Sequence, residues 1–315
     1  MKYNTKSFFL EEVRKKGGFK SYHAHFDKAH LLDEFPLHEA MVDMEKKWYD
    51  YRKFKENYTH EDLVHRMNKC ILDQSFQNTT LTRTFVDCDH IVKQLPVDAA
   101  VELKETWKNK VDLEIAIQPL EGVFGSNREE FITACEKADS IGGLPSRDRG
   151  REEDHLDFIM RLSKDLNKKV DVHVDQANAP FERETELLAR KTMEHGIEGK
   201  VTAVHSISLS CHSKEYQVEV CKMMKDAGMN VVICPSAGIS MRQLDQYSAP
   251  IHNSLAPLEL FIEKEVPVCL GIDNISDLFM PLVDGDFWFE MRLLMEATRI
   301  YNLDIMSDFA SGRLL

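Results

Sequence analysis

The sequence predicts an α/β protein built as a parallel (β/α)8 barrel of the TIM type. Eight short runs of mostly apolar or β-branched residues recur along the chain, and stretches with helical periodicity separate most of them. Strands that alternate with helices pair as a parallel sheet, and eight repeats close that sheet into a barrel. The expected strands are 19–25, 81–87, 111–118, 140–144, 169–174, 200–205, 230–234 and 268–272.

The stretches between these strands carry recognisable helix patterns. A helix is expected at 4–18, before the first strand, and another at 286–301, after the last. Residues 184–197 have helical spacing, and 216–229 end in a glycine stop. The long first gap contains an aromatic and charged segment, 44–63, which we expect either to fold as helices over the barrel mouth or to form an oligomer contact.

Composition restricts the classes of function. At 315 residues without a linker or a repeat, the chain is expected to form one barrel domain over residues 1–315. The net charge of −13 disfavours nucleic acid and anionic membranes as partners and admits small neutral or cationic substrates. No signal-like or membrane-spanning run is visible, and the seven cysteines form no CxxC pair. We therefore expect a cytoplasmic protein with reduced thiols. A homo-oligomer is possible.

Four histidines and one aspartate lie at the ends of expected strands. They are His23 and His25 after the first, His173 in the fifth, His205 ending the sixth and Asp273 after the eighth. Side chains two residues apart on a strand point to the same face, so His23 and His25 can share one cation. Because the carboxyl ends of all strands meet at one mouth of the barrel, the sequence predicts a metal site there.

The motifs resemble those of a known family. HAHFDKAH, TRTFVD, QPLEGV, GGLP, DVHVDQ, VTAVHS and GIDNISD occur in an order and spacing similar to the cytosine deaminase-like branch of the amidohydrolase superfamily, over roughly residues 19–285. The resemblance implies a metal-dependent hydrolase with one divalent ion, zinc or iron, held by His23, His25, His173 and Asp273. The binuclear relatives need a carboxylated lysine on the fourth strand, and IGGLPS offers none.

The resemblance also implies catalytic roles. His205 would lie beside the attacking water, where it can orient hydroxide and stabilise the tetrahedral centre. Asp273 would accept the attacking proton, and a metal would lower the pKa of water to about 7. Deaminases of this family use a glutamate three residues after the fifth-strand histidine as a proton shuttle, and this chain has Gln176 there.

Three departures argue against cytosine as the substrate. An amide such as Gln176 carries no titrating proton at neutral pH. Leu120 stands where family pyrimidine binding implies a glutamine, so a polar anchor for the ring is expected to be missing. Asn274 replaces a second acid after the metal aspartate.

Three basic residues are further candidates for substrate contact. Lys28 is similar to a lysine of relatives that hydrolyse amino groups from triazine rings, or else it is a surface lysine paired with Asp27 or Asp33. Arg83 could bind a substrate carboxylate or hold Asp87. Arg147 could enter the pocket, or it belongs to a solvated loop with Arg149 and Arg151.

The family also carries a small β-sandwich outside the barrel. With 22 residues before His23 and 42 after Asp273, we expect the barrel without it. The favoured function is a mononuclear metal-dependent hydrolase, a deaminase or amidohydrolase, that acts on a C–N bond of a small cyclic nitrogen compound. The alternatives are another reaction at the same metal, such as isomerisation or decarboxylation, and a metal-binding barrel that has lost catalysis.

Overall fold

Eight parallel strands form one sheet in the order in which they occur along the chain, as the sequence predicts. The structure is a computed structural model that describes residues 4–31, 37–42, 44–240 and 255–314. The strands are β1 Phe19–Ser21, β2 Thr79–Asp87, β3 Asp112–Gln118, β4 Ser140–Gly143, β5 Lys169–Val174, β6 Val201–His205, β7 Asn230–Ile233 and β8 Val268–Leu270. Their positions agree with the expected runs, and the largest difference is the early end of β1.

Helices follow most strands and cover the outside of the sheet. In the described ranges they are α1 Thr5–Lys15, α2 Met44–Lys55, α3 His60–Phe76, α4 Leu95–Trp107, α5 Arg128–Lys137, α6 Glu152–Leu166, α7 Glu184–His195, α8 Lys214–Asp226, α9 Pro235–Ser240, α10 Leu258–Glu263, α11 Phe287–Thr298 and α12 Leu303–Ala310. Short 3-10 turns occupy Leu37–Met41, Gly125–Asn127, Pro145–Arg147 and Ile207–Cys211. The two terminal helices expected from the sequence correspond to α1 and α11.

The barrel closes where the chain after β1 meets the chain after β8. The backbone N–H of Tyr22 donates to the Leu270 carbonyl over 2.8 Å, and that of Ile272 donates to the His23 carbonyl over 2.9 Å. Ala24 then forms an isolated parallel bridge with Asp273. The closing contacts therefore bring the first two candidate ligands directly beside the last one.

The interior is apolar apart from the site and a few ion pairs. Apolar side chains of the strands and the inner faces of the helices form one large buried cluster. All seven cysteines are buried and free, in agreement with reduced thiols. Among the described residues, no helix is both long enough and apolar enough to cross a membrane. One barrel domain over residues 1–315 stays a prediction, although every described strand belongs to the barrel sheet.

The charged segment of the first gap forms α2 and the start of α3. Met44 and Trp48 of α2 line the same cavity as His25 and His173. Of the two expected arrangements, the structure therefore shows helices over the barrel mouth.

Candidate metal centre and active site

Five side chains from four separate parts of the chain converge at the carboxyl ends of the strands. His23 and His25 follow β1, His173 lies in β5, His205 ends β6 and Asp273 follows β8. All five are at most 5% exposed. Two overlapping sets of them could hold a metal ion, namely His23 with His173 and His205, and His23 with His25 and Asp273.

The ring nitrogens of these histidines point at a common centre. The Nε2 atoms of His23 and His25 each lie 3.2 Å from Asp273 Oδ1. His173 Nε2 is 3.4 Å from His25 Nε2, and His205 Nε2 is 3.9 Å from Asp273 Oδ2. Imidazole nitrogens and a carboxylate at such spacing match the ligand chemistry of zinc and other borderline cations.

The protonation states suit metal ligands. Burial lowers the pKa of His23 and of His205 to about 4, and burial also lowers the pKa of His25 and His173. Burial alone would raise the pKa of Asp273, but its contacts with His23 and His25 hold that pKa well below the usual range. At neutral pH the site therefore offers neutral imidazoles and an ionised carboxylate, which are the forms that bind metals.

A hydrogen bond on the side away from the centre fixes the orientation of the His173 ring. His173 Nδ1 lies 3.3 Å from the Gly143 carbonyl, an acceptor, so the proton belongs on Nδ1 and the Nε2 lone pair faces the centre. Among the described residues, Nδ1 of His23, His25 and His205 has no hydrogen-bond partner. Phe85 packs below the centre, with its ring centroid 4.6 Å from that of His23.

The backbone is constrained at two of these residues. His205 has φ +79° and Asp273 has φ +66°, in the left-handed region that residues other than glycine rarely adopt. Such conformations persist where the surrounding structure imposes them and are concentrated at functional sites. Gly271, two residues before Asp273, has no room for a side chain, since a Cβ there would lie 2.8 Å from His23 Cβ.

A cavity of about 40 Å³ adjoins the centre. Its wall joins the candidate ligands to polar and aromatic side chains of several other elements. The lining includes His25, Lys28, Met44, Trp48, Gln118, Leu120, His173, Gln176, His205, Asp273, Asn274 and Phe279. Lys28, Leu120, Gln176 and Asn274, all named from the sequence, therefore lie beside the centre.

Lys28 is buried, so its interpretation as a surface lysine is wrong. It is 2% exposed, and its Nζ lies 2.6 Å from Asp87 and 3.1 Å from Gln118 Oε1. Asp27 is a weaker neighbour at 3.4 Å, whereas Asp33 lies outside the described residues. Burial alone would raise the pKa of Asp87, but the charges of Lys28 and Lys55 lower it.

Arg83 lies deeper in the barrel than the sequence suggested. It sits in the middle of β2, and its guanidinium bonds Glu114 over 2.8 Å and Asp171 over 2.6 Å. The expectation that it holds Asp87 is wrong, because Lys28 and Lys55 do so. Arg83 does not line the cavity at the centre, and its two carboxylate partners argue against substrate contact.

Arg147 is placed behind the cavity wall. Its Nε donates to the Leu120 carbonyl over 2.7 Å, and its guanidinium stacks on Trp48 at 4.8 Å from the ring centroid. It is thus neither a residue of a purely solvated loop nor part of the lining. Its contacts hold Leu120 and Trp48, which do line the cavity.

Gln176 and Asn274 differ in how they are held. Gln176 is 6% exposed, and its Nε2 has no hydrogen-bond partner among the described residues. The Nδ2 of Asn274, by contrast, donates to Asp277 over 2.5 Å.

Sequence reasoning missed several residues at this site. Gln118 ends β3 and lines the cavity beside Leu120. The expectation that the cavity lacks a polar anchor for the substrate ring is therefore wrong, although Leu120 itself is apolar. The position of Gln118 two residues before Leu120, at the end of an expected strand, was a usable signal. No sequence pattern indicated three further residues, because the packing of helices and loops, rather than a strand, places them near the centre. These are Trp48, Phe279 and Lys55, the second lysine that pairs with Asp87.

Comparisons with known proteins agree with this geometry. No model of a known protein family matches the chain. An uncharacterized protein of Haemophilus influenzae is 35% identical over 265 residues, which cover 82% of this chain and 95% of that protein. N-isopropylammelide isopropyl amidohydrolase of Pseudomonas sp. strain ADP is 27% identical, over 88% of this chain and 68% of that enzyme. The chain belongs to the amidohydrolase superfamily.

A solved structure of the superfamily shows the same fold. The structure of 5-methylcytosine deaminase from Klebsiella pneumoniae, liganded with 5-fluorocytosine, superposes with a TM-score of 0.85 at 24% identity. The match covers 93% of this amidohydrolase chain and 72% of the deaminase chain. The predicted barrel is therefore confirmed, and the sequence relatives support the predicted superfamily.

Proposed function

We propose that this chain is a metal-dependent hydrolase that cleaves a C–N bond of a small cyclic nitrogen compound. The observation that carries the proposal is the convergence of four buried histidines and one buried carboxylate, in two overlapping sets that could each hold a metal ion. The amidohydrolase and deaminase relatives support the reaction class.

The proposed metal ligands are His23, His25, His173 and Asp273. The donor set fits the group, because buried neutral imidazoles and an ionised carboxylate are the forms of these side chains that bind a divalent metal. Zinc or iron suits these ligands. When bound, one divalent ion would lower the pKa of water enough to supply hydroxide at neutral pH.

The protein's own groups then do the proton work. Asp273 Oδ2 lies on the side of His205, at 3.9 Å from its Nε2, so it can accept a proton from the attacking water. His205, neutral because burial lowers its pKa to about 4, can orient the nucleophile or donate a hydrogen bond to the developing oxyanion. Gln176 can orient the substrate but cannot carry a proton.

The substrate would be held by the rest of the lining. Trp48 and Phe279 offer apolar faces for a planar ring, and Gln118, Asn274 and Lys28 offer polar groups. A cytoplasmic location and a possible homo-oligomer stay predictions from the sequence.

The test combines metal content with turnover. Elemental analysis of the purified protein should find about one equivalent of zinc or iron. A screen over pyrimidines, triazines and cyclic ureas should find a compound that releases ammonia or an amine. His173→Ala should lose both metal and turnover.

The matched control is His195→Ala. His195 is a histidine on α7 that pairs with Asp157 over 2.8 Å, away from the centre, so metal and turnover should be retained. Protein without bound metal would contradict the ligand assignment. Tightly bound metal without turnover on any nitrogen compound would favour a barrel that has lost catalysis.

A further inference from the structure

A second and larger cavity opens beside the one at the metal centre. Its volume is about 560 Å³, against about 40 Å³ for the inner cavity. Met44, Trp48 and Gln176 line both cavities. These three side chains therefore form a shared wall, and a molecule bound at the centre could extend past them into the outer cavity.

The arginines of the outer cavity are already paired with glutamates of the same cavity. Arg149 pairs with Glu45, Arg183 lies 3.9 Å from Glu186, and Arg190 lies 3.0 Å from Glu153. These partners neutralise one another, so the arginines do not make the cavity a site for anions.

Besides Glu152, whose carboxylate accepts from the Gly150 N–H over 3.0 Å, two other carboxylates of the lining, Glu182 and Glu184, have no such partner among the described residues. Glu182 is 8% exposed and accepts hydrogen bonds from the Ala177 N–H over 2.8 Å and from the Ser208 hydroxyl over 2.5 Å. One oxygen of Glu184 accepts from the Asp175 N–H over 3.2 Å. Within the part of the chain that the structure describes, neither forms an ion pair with lysine or arginine.

The surroundings of Glu182 make its ionised form costly. Burial, followed by the charge of Asp175, raises the pKa of Glu182 to about 8. A cation placed against such a carboxylate would remove that cost, because an opposite charge favours the ionised form.

Gln176 gives an independent indication of a ligand at the same place. Its Nε2 is buried without a hydrogen-bond partner in the described residues, and a buried donor left unpaired is unfavourable. The side chain faces the junction of the two cavities. An acceptor on a bound molecule would satisfy it.

We propose that the outer cavity binds a cationic amino or amidino group of the substrate, with Glu182 and Glu184 as its counter-charges. Phe181, Leu187 and Trp48 supply apolar surface for the stem that joins this group to the reacting ring. The assignment of the group to the substrate rests on the proposed function. The charge preference of the cavity rests on the cavity alone.

The test measures binding rather than turnover. Benzylamine, benzyl alcohol and benzoate share one ring and are cationic, neutral and anionic at neutral pH. Titration calorimetry on the metal-loaded protein should show benzylamine binding at least about tenfold more tightly than benzyl alcohol, and no binding of benzoate.

Three variants locate the charge. Glu182→Gln and Glu184→Gln should each weaken benzylamine binding by about tenfold and leave benzyl alcohol unaffected. Glu219→Gln is the matched control, because Glu219 is exposed on α8 and lies outside the cavity lining, and binding should not change. Thermal melting of each variant separates a loss of binding from a loss of fold, and two independent variants guard against one that fails to fold.

The outcomes separate this proposal from the proposed function. Equal binding of benzylamine and benzyl alcohol, or an effect of Glu219→Gln as large as those of the other two variants, would overturn the cavity proposal. If a cyclic nitrogen compound is hydrolysed but benzylamine neither binds nor competes with it, the cavity proposal fails alone. If benzylamine binds in the expected pattern and no nitrogen compound is hydrolysed, the proposed function fails and the charge preference stands.

Discussion

Lys55 joins the helix over the barrel mouth to the strands below it. It ends α2, its side chain is fully buried, and its Nζ lies 2.9 Å from Asp87 and also bonds Asp89. In Lys55→Met, Asp87 keeps Lys28 as a partner, whereas Asp89 keeps, among the described residues, the backbone N–H groups of Ile91 and Val92. The variant therefore leaves a buried carboxylate without a cation.

The expected cost follows from that uncompensated charge. Removing one partner of a buried ion pair costs about 3–5 kcal/mol. The entropy of unfolding of 315 residues is about 0.7 kcal/mol per kelvin, so a loss of about 4 kcal/mol lowers the melting temperature by about 6 °C. The helix carries Met44 and Trp48 of the cavity wall, so its loosening should also weaken ligand binding at the centre.

The assay is thermal unfolding of the metal-loaded protein followed by circular dichroism. Lys53→Met is the control, because Lys53 is exposed on the same helix and its replacement should change stability by no more than about 0.5 kcal/mol. Lys55 lowers the pKa of Asp87, so the stabilisation is present above the unfolded-state pKa and is lost as the pH falls below it. The difference in melting temperature between Lys55→Met and Lys53→Met should therefore become smaller at acidic pH. If Lys55→Met and Lys53→Met melt at the same temperature at neutral pH, the ion pairs of Lys55 with Asp87 and Asp89 do not stabilise the fold, and the prediction is refuted.

Three further changes test the packing and the buried charges. Gly142→Ala would place a Cβ 1.9 Å from the Ile117 carbonyl oxygen, so chemical denaturation should show a loss of more than about 3 kcal/mol. Burial raises the pKa of Glu290 to about 7, so the wild type should lose up to about 3 kcal/mol of stability as the pH rises from 4.5 to 7, and Glu290→Gln should remove this dependence. Arg83→Met should cost about 3–5 kcal/mol at neutral pH, measured by urea unfolding, because Asp171 would stay buried without its arginine.

The fold was predictable because its signals are local. Each strand is a short apolar run, and helical periodicity separates most runs, so the order and the parallel pairing follow without knowledge of the tertiary structure. Because side chains two residues apart on a strand share a face, the sequence also predicted that His23 and His25 lie together. The first strand was predicted too long, because after Ser21 the chain pairs with the segment following β8 rather than continuing regular strand geometry.

The depth of a residue within the barrel was not predictable in the same way. Arg83 and Asp87 lie on the same face of β2, but four residues of strand separate them by about 13 Å, so only Asp87 reaches the mouth. A motif such as TRTFVD shows that both residues belong to one strand, and the point at which the strand ends decides which one faces the substrate. Lys28 and Lys55 could not be assigned to Asp87 from the sequence, because the contacts join residues about 30 to 60 positions apart.

Gln176 remains the residue that most restricts the chemistry of the proposed reaction. Since an amide does not titrate, the proton needed by the leaving nitrogen must come from a group that does. Asp273 is the titrating group beside His205 at the centre, so a proton that it takes from water can be passed on to the leaving nitrogen. The unpaired Nε2 of Gln176 is then free to hold an acceptor atom of the substrate at the junction of the two cavities. Orientation by Gln176 and proton transfer by Asp273 would thus divide between two residues the work that one glutamate does in the deaminases.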